Sequence, residues 1–347
     1  MLVDSPPEPR AASVPAPPTR RVARPLGLSL SVALLVLVAL ASIAVGAKAL
    51  SPDQVWHGLF HGSGTYDDVV VDERLARTLL GLLAGAALGL SGAVLQALTR
   101  NPLADPGLLG INAGASAAVV TAISFFGVTS LRGYVWFAFL GAAAVGALVW
   151  FLGGSRGATP VRLALAGTAI SAALYGYLQA VMIMDDAALG RMRFWTVGSL
   201  ASASGPTIVQ VLPFLAAGGL LAFALARPLN AVAMGDDTAR ALGARLGRTR
   251  ALAMLAATVL CGAATAACGP VVFVGLMVPH AVRSFTGPDL RWILPYAAVL
   301  APVLLLGADV VGRVVARPAE LQVGIVTAVI GGPVFIFLVR RRRTAQL

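Results

Sequence analysis

Residues 251–282 read ALAMLAATVLCGAATAACGPVVFVGLMVPHAV, 32 positions without one Lys, Arg, Asp or Glu. As one helix this run would reach ~48 Å at 1.5 Å per residue, against a bilayer hydrocarbon core of ~30 Å. Gly269-Pro270 falls inside it. Proline lacks an N–H and crowds the preceding turn, and lipid supplies no water to satisfy the carbonyl left over. The run is therefore expected to form two spans, the second one short. Eight further charge-free intervals flank it: 25–47, 78–99, 106–131, 133–155, 163–184, 194–226, 292–308 and 321–339. A transmembrane helix needs about 20 apolar residues, so each of the eight is read as one span. Nine intervals become ten helices, and the fold class is all-α and polytopic.

Composition agrees. Of 347 residues, 58% are hydrophobic and 12% charged, where a soluble domain carries roughly 25% charged. A charge at the bilayer centre costs at least ~2.5 kcal/mol, which keeps the intervals clean. Residues 1–24 are rich in Pro, Ala and Arg, cannot bury a core, and are expected to form a disordered tail ahead of a permease domain over 25–347. A cleavable signal is the rival for the first span, because Ala47-Lys48-Ala49 loosely resembles a cleavage site. The apolar run from Leu26 to Ala47 exceeds the ~7–15 residues of a signal core, so it reads as a retained span.

Orientation follows from the basic residues. Arg10, Arg20, Arg21 and Arg24 precede the first span, and Arg340 to Arg343 follow the last. Basic flanks stay cytoplasmic, so both termini are expected inside the cell and the number of crossings is even. Ten spans put 18 of the 26 Lys and Arg inside and eight outside, while nine of the 15 Asp and Glu lie outside. The net charge of +11 is thereby a topology signal. No basic stripe interleaved with aromatics points to nucleic acid; the expected surroundings are membrane lipid.

Several chemistries find no residues. ATP hydrolysis needs a phosphate loop with its lysine, and Lys48, on the outer side, is the single lysine. The spans hold no paired His, Asp or Glu of the kind a proton pump or membrane metalloprotease needs. His57 and His61 stand four apart, a metal-binding spacing on a helix, but no third ligand is near, so no metal site and no cofactor are expected. His280 reads as a group that orders a helix end. Cys261 and Cys268 read as small buried hydrophobes. Ser91, Ser116 and Ser171 read as hydroxyls bonded within or between helices.

Three segments stand out. The outer stretch 51–77 is polar and ends Asp72-Glu73-Arg74-Leu75-Ala76-Arg77. The turn after the second span reads NPLADPGLLGINAG (101–114). The inner stretch RPLNAVAMGDDTARALGARLGRTR (227–250) has mixed charge, and 235–246 can form a short helix at the membrane surface.

The run RLARTLLGLLAGAALGLSGAVLQALTRNPLADPGLLGINAG (74–114) resembles the hallmark of the FecCD family of ABC permeases, which import iron–siderophore complexes, haem and cobalamin. GPVVFVGLMVPHAVR (269–283) and GADVVGRVVARPAELQVGIVTAVIGGPVFIFLVRR (307–341) agree with it in order. Ala76 departs from the pattern, which commonly has proline between the two arginines. The resemblance implies ten helices related as an inverted repeat. It also implies a second permease subunit, identical or paralogous, two cytoplasmic ATPase subunits and an external substrate-binding protein. A ferric siderophore is the expected cargo, with haem or cobalamin as the alternative.

By the same resemblance, Arg74, Arg77 and Arg313 match positions that dock the binding protein. A local argument points the same way. Arg74 and Arg77, three apart at the outer start of a helix, gain nothing from its dipole and oppose the positive-inside bias, so acidic groups on a partner would explain them. Segment 235–246 matches the ATPase-coupling region, with Gly235 and Gly243 as brackets, Asp236 and Leu242 between them, and Ala239 and Ala241 small enough for close packing in a cleft. Asn101 and Leu103 match the inner end of the pathway as gate candidates. An ion-coupled secondary transporter, which would need an intramembrane ion site, is the rival from another class; Asp309 and Glu320 alone approach the membrane. A membrane enzyme is the second rival, opposed by the missing catalytic set.

Overall fold

The computed structural model describes residues 23–61, 64–128, 130–154 and 160–344, so the expected disorder of the first 22 residues lies outside it. The described residues form helices and connections with no strand. The helices are α1 (Ala23–Ala44), α2 (Pro52–Phe60), α3 (Tyr66–Thr99), α4 (Ile111–Phe126), α5 (Leu131–Gly154), α6 (Pro160–Met184) and α7 (Asp186–Trp195). They continue with α8 (Gly205–Ala224), α9 (Ala226–Ala233), α10 (Asp236–Ala241), α11 (Leu246–Cys268), α12 (Val274–Thr286), α13 (Leu290–Val315) and α14 (Val323–Thr344). Seven are long and apolar enough to cross a membrane: α1, α3, α5, α6, α8, α11 and α13. The shorter apolar α4 and the apolar part of α14, with the 13-residue α12, complete the ten expected from the charge-free intervals.

The chain breaks at Gly269-Pro270. Helix α11 stops at Cys268, Gly269 takes φ +73°, and α12 starts only after Phe273, itself at φ +70°. The second span differs from expectation at its start. It begins at Tyr66, where Thr65 and Asp68 form a reciprocal capping box and Asp67 and Asp68 complement the helix dipole. Its 34 residues extend ~51 Å, so the charged turns 67–77 are the part that outruns a ~30 Å core. Ahead of it α2 starts with a second capping box, Ser51 with Gln54.

Helices α3 and α11 form the centre, each 78% buried over its apolar window, whereas α1 and α6 are 11% and 17% buried. Small residues let α3 approach its neighbours. Gly92 faces the Gly275 backbone of α12, and a Cβ at Gly85 would meet the Pro302 backbone of α13 at 2.6 Å. This is the small-residue packing that draws helices together in lipid. The bundle has two ends. α2 and α7 lie at one, with the turn between α13 and α14; α9 and α10 lie at the other, beside the C-terminus of α3. α1 starts at the α10 end, where the Tyr296 hydroxyl donates to the Arg24 carbonyl at 2.6 Å. α14 starts at the α2 end, where the Gly324 amide donates to the Gly198 carbonyl, and runs back.

Candidate functional site

At the α2 end, four arginines cluster, and three of them converge on the last turn of α1 and the residues just after it. Arg74 donates to the carbonyls of Ile43 at 2.9 Å, Ala44 at 3.1 Å and Lys48 at 2.5 Å. Arg313 donates to the Ser42 carbonyl and to Ser42 Oγ, both at 2.9 Å. Arg317 donates to the Gly46 carbonyl at 2.6 Å. A helix end leaves its last carbonyls without intrahelical partners and carries partial negative charge. These cations satisfy both needs, and α1 is otherwise little buried.

The fourth arginine, Arg77, grips carboxylates. Its Nε and Nη2 donate to Asp309 at 2.8 to 3.1 Å, and its Nη1 donates to Glu320 at 2.7 Å. Asp309 is fully buried and also pairs with Arg313 one turn along α13, at 3.1 Å. Arg77 and Arg313 therefore share one buried carboxylate, and the Ser42 and Thr78 hydroxyls, 2.9 Å apart, close the network.

Acidic groups on a partner, expected from the side of the membrane these arginines occupy, are not needed to explain them in this chain. The carboxylates and carbonyls that explain the arginines lie within it. Arg74 is also in the third turn of α3, not at its start. Arg74 and Arg313 are 8% and 1% exposed. Arg77 alone of the three lines a cavity of about 540 Å³, together with Tyr134, Arg191, Trp195 and Gln322. In the sequence Asp309 and Glu320 stand out at the membrane edge, but what they hold does not. The available signal was local: Asp309 and Arg313 stand four apart on one helix face.

At the other end, segment 227–250 forms a helical hairpin of α9, α10 and the start of α11. Gly235 at φ +113° and Gly243 at φ +78° make its two reversals, in backbone space that other residues rarely enter. Asp236 takes both Nη2 bonds of Arg250, at 2.8 and 2.9 Å, and pairs with Arg100, whose Nε donates to the Val232 carbonyl at 2.9 Å. Burial pushes the Asp236 carboxyl up, but the Arg100 and Arg250 bonds outweigh it and hold it below the usual carboxylate range. Ala239 is fully buried against Val232 and Leu246. It fills the hairpin and is not free for a cleft, unlike Ala241. The outward apolar groups are Ala241, Leu242 and Met234, and Gly243, Asp237 and Arg240 are exposed as well.

The connector 100–110 joins α3 to α4. Asn101 Oδ1 accepts from the Leu103 amide at 3.0 Å, which makes the tight turn after Arg100. Asn101 borders one cavity with Leu165 and Thr168. Leu103 borders another, of about 450 Å³, with Asp105, Ser171, Tyr175 and Phe335. Both gate candidates thus sit at cavities against α6.

The remaining candidates lie elsewhere. Cys261 and Cys268 are buried and unpaired, and the Cys261 thiol and the Thr265 hydroxyl both point to Asn112 Oδ1, at 3.7 and 2.9 Å. Ser91 and Ser116 donate to backbone carbonyls of their own helices. His57 contacts Asp68 at 3.3 Å, and its ring stacks on His61 at 5.8 Å. Among the described residues, no group of three His, Cys, Asp or Glu is placed to hold a metal.

A bundle of membrane-length helices, a hairpin of α9 and α10 tied to the end of the longest span, and cavities along a sparsely buried helix define a membrane transport permease. The chain belongs to the FecCD transport family, whose model matches residues 34–341. It is similar to the ferric enterobactin transport system permease protein of Escherichia coli (strain K12), 47% identical over 93% of this chain and 96% of that one. The Fe(3+)-citrate import system permease protein YfmD of Bacillus subtilis (strain 168) is 38% identical over 88% of this chain and 91% of its own. The hemin transport system permease protein of Yersinia pestis is 37% identical over 93% and 98%. A chain solved in an inward-facing conformation, and provisionally assigned to the metal-chelate type of ABC transporter, superposes with a TM-score of 0.80 at 29% identity, covering 91% of this chain and 99% of that one. The family is one of transport permeases and not of enzymes.

Proposed function

We propose that this chain is the permease subunit of a binding-protein-dependent ABC importer, and that its cargo is a ferric siderophore or similar iron chelate. The observation that carries the reading is the face of α6. Thr168, Ser171, Tyr175 and Gln179 recur at helical spacing on a span that is only 17% buried within the chain. Polar groups facing hydrocarbon are costly, and in spans they mark a bundle interior or a water-filled path. A second permease copy, identical or paralogous, placed against α6 would make that path between the two.

The α10 end is cytoplasmic in this reading, with both termini on that side. Met234, Ala241 and Leu242 form the small apolar tip offered to an ATPase subunit, and Asp236 fastens that hairpin to the C-terminus of α3. Rocking of the two copies, driven by ATP binding, then moves Asn101 and Leu103 as the inner gate. The substrate-binding protein docks at the α2 end. Arg77, which opens to the outer cavity, is the direct contact, and Arg74 and Arg313 hold the scaffold beneath it. The iron-chelate cargo draws on the names of the relatives, of which the enterobactin permease shares more identity with this chain than the hemin permease does.

Uptake of labelled ferric siderophores, haem and cobalamin in a strain deleted for this gene tests the reading. Loss of ferric-siderophore uptake, restored by the gene, is expected. Loss confined to haem or cobalamin would move the cargo, and loss of none would remove the importer reading.

A further inference from the structure

We propose that the cavity between α1, α12 and α13 at the α10 end binds the phosphate of an anionic phospholipid, with Arg24 as the group that holds it. The inference goes beyond transport and needs only that the chain sits in a membrane. The cavity is about 400 Å³, and Gly27, Ser31, Ser284, Phe285 and Tyr296 stand around Arg24. Among the described residues Arg24 makes no ion pair, and its Nε is buried without a hydrogen-bond partner. Asp289, the carboxylate of the adjoining turn, is taken by Arg291 and Asn230.

The other polar groups of the cavity have spent their protons. Ser31 donates to the Gly27 carbonyl, Ser284 to that of Ala281, and Tyr296 to that of Arg24 itself. The free side-chain donors at the site are therefore those of one guanidinium, whose Cζ lies 6.0 Å from the centre of the Trp292 ring. A buried donor without a partner is costly, and a guanidinium pairs with two phosphate oxygens at once.

The surroundings select a lipid over a free anion. α1 is 11% buried along its apolar window. Leu30 and Leu34, at helical spacing from Gly27, are exposed, and Phe285 is half-exposed beside the cavity. A headgroup at Arg24 would lay its acyl chains along these side chains, whereas inorganic phosphate would gain nothing from them. Basic pockets between spans are where anionic headgroups bind.

The test uses the purified full-length protein in detergent. Binding of short-chain phosphatidylglycerol, phosphatidylcholine and inorganic phosphate is measured for the parent and four variants. Phosphatidylglycerol is expected to bind the parent more tightly than phosphatidylcholine does. Arg24→Gln should weaken it about fivefold, which corresponds to the ~1 kcal/mol of one basic group at a membrane surface. Arg24→Lys should keep part of the affinity. Ser284→Trp, which narrows the cavity and leaves the charge, should also release the lipid. Arg248→Gln, an exposed arginine at the same end, should change nothing. Undiminished binding in Arg24→Gln or in Ser284→Trp would overturn the site. So would an equal loss in Arg248→Gln, which would mean general surface charge. Displacement of phosphatidylglycerol by millimolar inorganic phosphate would make it a soluble-anion site and overturn the lipid assignment.

Discussion

Asp309 shows how much one side chain can organise. It is fully buried and pairs with Arg77 from α3 and Arg313 from its own helix, with Glu320 as the second carboxylate on Arg77. Removing one partner of a buried pair costs ~3–5 kcal/mol, because the remaining charge stays desolvated. Asp309→Ala should therefore lower the thermal unfolding temperature of the detergent-purified protein by several degrees. An unchanged temperature would mean that water reaches the network. The three arginines should also separate by role. Arg74→Glu and Arg313→Glu place a carboxylate against the carbonyls of α1 and should reduce folding and membrane yield. Arg77→Glu, at the cavity edge, should leave more folded protein and weaken docking of the loaded binding protein, as pull-down at matched protein levels would report. If Arg77→Glu binds as the parent does, Arg77 is purely structural. The sequence marked these arginines by their side of the membrane, but their partners lie up to 271 positions away. Local spacing records the Asp309–Arg313 pair alone and not these distant ones.

Among the elements, the ones legible in advance were those set by a local rule. Gly269-Pro270 breaks a run too long for one span, and α11 and α12 part there. The start of α3 was misplaced because absence of charge measures the membrane and not the helix. Thr65 and Asp68 were the signal that could have placed it. The α10 hairpin was legible from its bracketing glycines, while the burial of Ala239 was not, since it depends on how α9 and α11 close around it. That difference makes a paired test. Ala239→Trp overfills the hairpin core, and overpacking costs ~1–3 kcal/mol, so protease should cut the hairpin faster than in the parent. Ala241→Trp points outward and should leave the hairpin protease-resistant. It should abolish transport-coupled ATP hydrolysis if this tip seats in an ATPase cleft. Normal coupled hydrolysis in Ala241→Trp, with protein levels matched, would place the coupling surface elsewhere.

At the scale of the whole molecule, α14 starts at the α2 end and runs back to the end where α1 began. Reporter fusions before residue 23 and after Leu347 should both score as cytoplasmic, and an external score at Leu347 would contradict the ten-span topology. The face of α6 and the cavities beside it were not legible, because charge-free intervals do not tell which spans face lipid and which face one another. In the proposed function, ATP-driven rocking against a second copy moves the cargo, and no ion gradient is needed. The most direct test is ferric-siderophore uptake into proteoliposomes holding the permease and its ATPase, with loaded binding protein outside and ATP within. Accumulation that requires ATP and the binding protein, and that persists when ionophores collapse every ion gradient, is expected. Uptake that proceeds without ATP and stops when the gradients collapse would contradict this mechanism.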